Sequence, residues 1–276
     1  MTEDRWRTPE SWGADPQVTL RQVEALDRDP MSGEARRFIP LGLRIRERMR
    51  WGPVRDTSEL RPLLPGPVRA AAAALLAACV ATVFVAFAAG RGDPGRLDTV
   101  LDPRFQAALG RFPALLHQLP RLGQLKEVAL MTLALTLASV ATRRWSGAVL
   151  AVVAVPGAVG LTEYVLKPHV GVLLGKAFPS GHATSSFALA ATFAILLADP
   201  ACRRVPRALR VLLVLVALLL AAAVGAAMIA LGAHVFTDVV AGAAVGTGVV
   251  LACALTLDLA VGRARRASAE PPDPAA

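Results

Sequence analysis

From residue 67 onward the chain alternates long uncharged runs of Ala, Val and Leu with short polar or charged interruptions. A run of about 18 or more apolar residues is long enough to cross the hydrocarbon core of a bilayer as a helix. A helix also satisfies its backbone hydrogen bonds internally, as a medium without water requires. The pattern predicts spans at 68–90, 127–142, 146–166, 182–198, 209–231 and 235–257. The second and fourth are short for a span. Pro156, Gly157 and Gly160 are expected to bend the third. The fold class that follows is all-α: a six-span transmembrane helical bundle with a polar N-terminal tail.

The regions outside the spans read differently. Residues 1–66 are polar and contain several Pro and Gly, and no apolar stretch begins near Met1, so a signal peptide is not expected. The stretch from Arg36 to Trp51 mixes Arg with Ile, Leu, Met and Trp. It either lies along the membrane surface or is a solvated basic tail. The expected organisation is a cytoplasmic polar and basic tail at 1–66, partly disordered, a membrane domain at 67–258 and a short cytoplasmic tail at 259–276. The longest connection, 91–126, holds an apolar stretch from Phe105 to Leu119 that suits resting on the bilayer or capping a pocket.

Composition narrows the class. Hydrophobic residues make up 54% of the 276, above the roughly 45–50% of soluble domains on a count that also includes Gly. A single Tyr and the dominance of Ala and Leu argue against a transmembrane β-barrel with aromatic girdles. The formal charge of +9 is almost all Arg. With no nucleic-acid-binding signature or aromatic platform, that charge reads as membrane topology rather than nucleic-acid binding. Cys79, Cys202 and Cys253 show no CxxC spacing and give no metal or redox signal. The Ala- and Arg-rich usage suggests a high-GC bacterial genome, and the expected location of the spans is then a plasma (inner) membrane.

Basic residues in short loops favour the cytoplasm. They precede the first span (Arg46 to Arg69), fill the second-to-third loop (Arg143, Arg144) and the fourth-to-fifth loop (Arg203 to Arg210), and follow the sixth (Arg263 to Arg266). Six spans put all four segments on one side. Both termini are then cytoplasmic, and 91–126, 167–181 and the turn from Gly232 to His234 face outward.

Two polar clusters break the apolar pattern on that outer face. One runs from Glu163 through Lys167 and His169 to Lys176 and then Pro179-Ser180-Gly181-His182; the other is Gly232 to Asp238. Ionisable residues at a span are costly and mark function by default. Ser180 and Gly181 stand where a helix begins, and helix N-termini bind phosphate through backbone N–H groups. Ser180 is equally a plain N-cap. His234 and Asp238 are four apart, a spacing that a helix stacks on one face. The pair either fixes an imidazole tautomer for attack or ties helices together. Lys167, His182 and His234 with Asp238 come from three spans to one layer. A cation, an attacking His, a second His as acid and an orienting carboxylate are what phosphoryl transfer through a phosphohistidine needs. His117 reads as an interfacial residue, His169 stays open, and no metal-ligand spacing or cofactor motif is present.

These residues resemble the type-2 phosphatidic acid phosphatase superfamily, which includes vanadium haloperoxidases. Its motifs are K-x6-R-P, P-S-G-H and S-R-x5-H-x3-D. The second matches fully at 179–182, the third at His234 and Asp238, and the first only at Lys167. The resemblance implies His234 as nucleophile, Asp238 as its orienting partner and His182 as general acid. It implies Lys167, Ser180 and the Gly181 backbone as phosphate holders. The motif arginines are replaced: the first motif's Arg-Pro falls on Leu174-Gly175, and the third motif's Ser-Arg on Ala227-Met228. Two lost charged hydrogen bonds cost about 3–6 kcal/mol, or about 100- to 10,000-fold in rate if all of it is transition-state binding. Lys176, two positions after Leu174, is a candidate replacement cation, though it lacks the bidentate grip of Arg. Arg104, Arg111 or Arg121 from a capping loop are others.

The implied activity is a metal-independent membrane phosphatase acting on a lipid phosphate or diphosphate monoester at the outer face. Candidate substrates are phosphatidate, phosphatidylglycerol phosphate and polyprenyl phosphate or diphosphate. The competing expectation is a degenerate, non-catalytic member that binds or moves such a lipid or serves as an assembly partner.

Overall fold

In a computed structural model, residues 62–89, 95–171, 178–199, 202 and 205–269 are described. The Arg36–Trp51 stretch, Leu174, Gly175, Lys176 and the end of the C-terminal tail lie outside them. The described residues are all-helical. The elements are α1 (Gly66–Ala89), α2 (Arg96–Leu109), α3 (Pro113–Gln118), a 3-10 turn (Leu119–Gly123), α4 (Leu125–Ala141), α5 (Trp145–Gly160), α6 (Gly181–Ala198), α7 (Arg207–Ala230) and α8 (Phe236–Ala269). The α5 helix runs through Pro156 and, after Gly160, widens into a π-helix, Leu161–Gly171.

Five helices are long and apolar enough to cross a membrane. A sixth crossing is counted if Pro113–Gly123 and Leu125–Ala141, bent by 57° to one another, form one span. The chain is a multi-pass membrane protein. Each expected span coincides with a helix, with ends shifted by a few residues. The last differs most, because α8 continues to Ala269. The described part of the 91–126 connection, from Gly95 on, is largely helical, and α2 packs on α7 and α8.

Helix α8 is the axis of the bundle, packing against α6, α1 and α5. Its contact with α6 depends on small residues. A Cβ on Gly242 would press on Ser180 O and lie 3.1 Å from Ala183 Cβ. One on Gly246 would press on Thr184 O and lie 3.0 Å from Ala188 N. This G-x-x-x-G spacing lets two helix backbones approach closely, as membrane helices do where no hydrophobic drive joins them. Below it, Ala154, Ala158, Ala188, Leu189, Val250 and Ala254 form a buried apolar core.

Polar contacts gather in two layers. At one end, buried Asp258 accepts hydrogen bonds from Leu63 N (2.6 Å), Leu64 N (3.0 Å) and Arg69 Nε (3.1 Å). Leu63 and Leu64, expected in the polar tail, are thereby drawn into the membrane unit. Arg144 pairs with Asp199 at 2.8 Å at the far end of α6. The other layer contains Ser180, His182 and Asp238. Asp238 and Asp258 lie on one helix, about 30 Å apart at ~1.5 Å per residue, which is about the thickness of the hydrocarbon core.

Candidate active site

The Pro179-Ser180-Gly181-His182 turn begins α6. The Phe178–Pro179 peptide is cis. Ser180 is fully buried and is the N-cap, its hydroxyl accepting from Ala183 N at 3.5 Å. Its own N–H donates to Asp238 O at 3.0 Å. One backbone bond thus joins the start of α6 to the first turn of α8. The first-turn N–H groups of Gly181 and His182 have no acceptor within the helix, and the positive end of the dipole faces the same point.

His234 arrives by a turn. Helix α7 ends with Ala233 N bonded to Met228 O at 3.0 Å, and Gly232 adopts φ +68. That left-handed conformation suits glycine and closes the helix. His234 therefore stands just before α8, and the expectation of a single helix carrying His234 and Asp238 is corrected. The capping turn performs the alignment instead: His234 Nδ1 lies 3.4 Å from Asp238 Oδ2, both side chains being largely buried. Such contacts are often long before a substrate arrives. Asp238 Oδ1 is buried with no hydrogen-bond partner among the described residues.

The wide π-helix delivers the cation. Lys167 Nζ pairs with Glu163 Oε1 at 2.6 Å, and Thr162 is bonded to Thr184 at 3.2 Å, pinning the segment to α6. A Cβ on Gly181 would collide with Glu163 Oε1 and lie 3.2 Å from Lys167 Nζ. The ion pair therefore sits directly on the α6 N-terminus. The His182 imidazole lies within electrostatic range of His234, Lys167 and Glu163. Three elements distant in sequence converge on one point, and a group bound there can meet a cation, two imidazoles and a helix N-terminus.

Other expected residues lie elsewhere. Met228, where the third motif has Arg, is buried with Ala183, Ile229 and Val239, an apolar setting for the replaced cation. Arg104 and Arg121 are exposed, and Arg111 stacks on Phe112 at 5.1 Å. His117 is exposed, and His169 Nδ1 lies 2.8 Å from Val165 O. Among the described residues no group of three or more His, Cys, Asp or Glu is placed to hold a metal ion.

The structure adds residues that the motifs did not supply. Asp98 on α2 is buried and accepts from Thr237 N (2.9 Å) and Thr237 Oγ1 (3.0 Å); Asp102 accepts from Phe236 N at 3.0 Å. Two carboxylates of α2 thus cap α8 next to the His234–Asp238 pair. The signal for them was a pair of acids one helical turn apart, Asp98 and Asp102, in a connection whose other charges are mostly basic. Glu163 stands in the first polar cluster, and its i,i+4 spacing from Lys167 is the local signal for their pairing.

An apolar groove of about 460 Å³ descends between α4, α6 and α7. Its upper end is at Leu122, beside Gly123, which packs against His182.

Residues 156–260 match the PAP2 superfamily. The chain carries a PAP2 superfamily domain. The match spans Lys167, Ser180, Gly181, His182, His234 and Asp238, all brought to one place by the fold. Asp98, Asp102 and Gly123 stand before the PAP2 domain and brace it from outside. No curated protein and no solved structure was found to match the chain.

Proposed function

We propose that this PAP2 protein is a metal-independent phosphatase that hydrolyses a lipid phosphate or diphosphate monoester. The observation that carries the reading is the convergence of His234–Asp238, His182 and Lys167 on the α6 N-terminus. His234 Nδ1 faces Asp238, so the Nε2 lone pair is available to attack phosphorus. As the P–N bond forms and the P–O bond to the lipid breaks, His182 gives its proton to the departing oxygen. His182 then takes a proton from water, water attacks phosphorus, and the P–N bond breaks to release phosphate and free His234. Asp238 balances the charge that develops on the His234 ring. Lys167, Ser180 and the Gly181 N–H hold the phosphate oxygens, with Lys176 as a further cation. The groove beside His182 accommodates the lipid chain.

The basic segments at the Arg69–Asp258 and Arg144 end support a cytoplasmic placement of that layer. The phosphate site then faces outward in a plasma (inner) membrane.

A second reading is favoured by a specific observation. Glu163 already neutralises Lys167, and Met228 supplies no charge. A site so short of cations suits a non-catalytic protein that binds or moves a phospholipid or polyprenyl phosphate, or one that serves as an assembly partner. Phosphate release from phosphatidate, phosphatidylglycerol phosphate and prenyl diphosphates by purified protein in detergent, with chelator, separates the two. The phosphatase reading expects release that His234→Ala abolishes, and an acid-labile phosphoprotein during turnover. Equal inactivity of wild type and variant on all three lipids leaves the binding reading standing.

A further inference from the structure

A second groove, of about 350 Å³, lies between the last turns of α6 and the first turns of α7. Helix α6 has 18 residues, so this groove is about 25 Å from Ser180 at ~1.5 Å per residue, at the other end of the span. Ala194, Leu197 and Ala198 line it from α6, and Val211, Val214 and Leu215 from α7. Arg207 and Arg210 line it where α7 begins. The lining positions on α7 recur every three or four residues, which puts them on one face. From Arg207 to Leu215 that face passes from two cations to hydrocarbon over eight residues, or about 12 Å at ~1.5 Å per residue. Val211 and Leu215 are exposed, so the groove opens sideways, toward the lipid that surrounds a spanning helix.

The cations at its mouth are not neutralised by the described residues. Arg207 is exposed, and its side chain forms no ion pair or hydrogen bond among them. Arg210 is half-buried, and its Nη1 donates to Leu197 O at 3.2 Å. That bond caps the end of α6 and holds the guanidinium at the groove. Residues 200–206 contain no acid and add Arg203 and Arg204 to the local charge, while Asp199 is paired with Arg144. As a cap Arg210 is accounted for; Arg207 has no such employment. Arginine is well suited to phosphate, and two of them three positions apart on a helix are close enough to share one. Phosphate-binding groups at the membrane end and an apolar wall deeper in match the head and chain of a phospholipid, in that order. Basic pockets between membrane helices hold anionic headgroups in this way.

We propose that this groove is a second lipid site, separate from the phosphate site, for a glycerophospholipid of net negative charge. The phosphodiester lies between Arg207 and Arg210, and one acyl chain runs along Val211 and Leu215. A zwitterionic phospholipid brings the same phosphate with a cation that the two arginines repel, so the anionic headgroup is preferred. The bound lipid bridges α7 and α6, the helix whose other end is the Pro179-Ser180-Gly181-His182 turn. No bond in the lipid is made or broken, and the site does not depend on the protein being a phosphatase.

The test measures displacement of a chain-labelled phosphatidylglycerol from the full-length protein in detergent. The competitors are unlabelled phosphatidylglycerol, phosphatidylcholine with the same chains, and glycerol phosphate. Phosphatidylglycerol is expected to compete at least tenfold better than either of the others, with a margin that shrinks as salt rises. At about fivefold for each cation, Arg207→Gln should weaken it about fivefold and Arg207→Gln with Arg210→Gln about 25-fold. Ala194→Leu, which fills the groove and leaves the charge alone, should weaken it as well, and Lys167→Met at the distant phosphate site should not. Equal competition by phosphatidylcholine overturns the headgroup preference, and equal competition by glycerol phosphate overturns the lipid as occupant. Binding that survives the double Arg change or Ala194→Leu, binding lost in Lys167→Met, or no binding at all overturns the site itself. The competitor series needs no substitution, so a variant that misfolds does not remove the test.

Discussion

Replacing Glu163 by Gln should tighten phosphate binding. The carboxylate lies against Gly181 and holds Lys167 at 2.6 Å, so an arriving phosphate competes with an anion that the chain already supplies. The side chains of Lys167 and Glu163 are 28% and 38% exposed, so solvent screens the pair and a low-dielectric Coulomb energy does not apply. An exposed pair contributes about 0.2–1 kcal/mol, and an anion at a helix N-terminus about 0.3–1 kcal/mol. Removing the charge while keeping the shape therefore releases about 0.5–2 kcal/mol, a gain of about 2- to 30-fold in phosphate affinity. The measurement is the inhibition constant of inorganic phosphate or vanadate, with KM for the lipid, at low and high salt. The gain should shrink as salt rises, and Lys167→Met in the same chain should cancel it. Weaker anion binding in Glu163→Gln would refute the reasoning, because Glu163 would then be holding Lys167 in position rather than competing for it.

Other consequences follow from the packing. Asp98→Ala leaves two donors of Thr237 unpaired in a buried position and should lower stability by about 2–4 kcal/mol, read as the thermal midpoint in detergent, with a fall in any phosphatase kcat. Gly246→Val forces a side chain onto the α6 backbone at Thr184 and Ala188; a cost of about 1–3 kcal/mol is expected, and an unchanged midpoint would show that the two helices do not meet as described. Reporter fusions after Trp145 and after Lys176 should report opposite sides of the membrane; the same side for both would reject the outward-facing site.

The apolar runs alone placed every expected span on a helix, with ends within a few residues except at the end of α8, because crossing about 30 Å of hydrocarbon demands both length and freedom from charge. The widened turn after Gly160 had no such signal: its expected bend came from Pro156, Gly157 and Gly160, yet the helix passes through them and changes type at Leu161. The α8 extension to Ala269 was likewise invisible, since its last turns are basic and read as tail.

For the site, the sequence determined which residue types were present: a lysine, two histidines, an aspartate and a Ser-Gly helix start, each at the mouth of an apolar run. Motif spacing grouped them, since polar side chains stranded at span ends are expensive to keep. Only the tertiary structure decided their mutual geometry. His234 meets Asp238 through a left-handed Gly232 rather than along a helix. Glu163 takes up the charge of Lys167, and α2, from outside the matched segment, caps α8 with Asp98 and Asp102. These contacts join positions as far as 139 residues apart. Local patterning records what each stretch of chain prefers, whereas a contact such as Asp98 to Thr237 exists only once α2 has folded back onto α8.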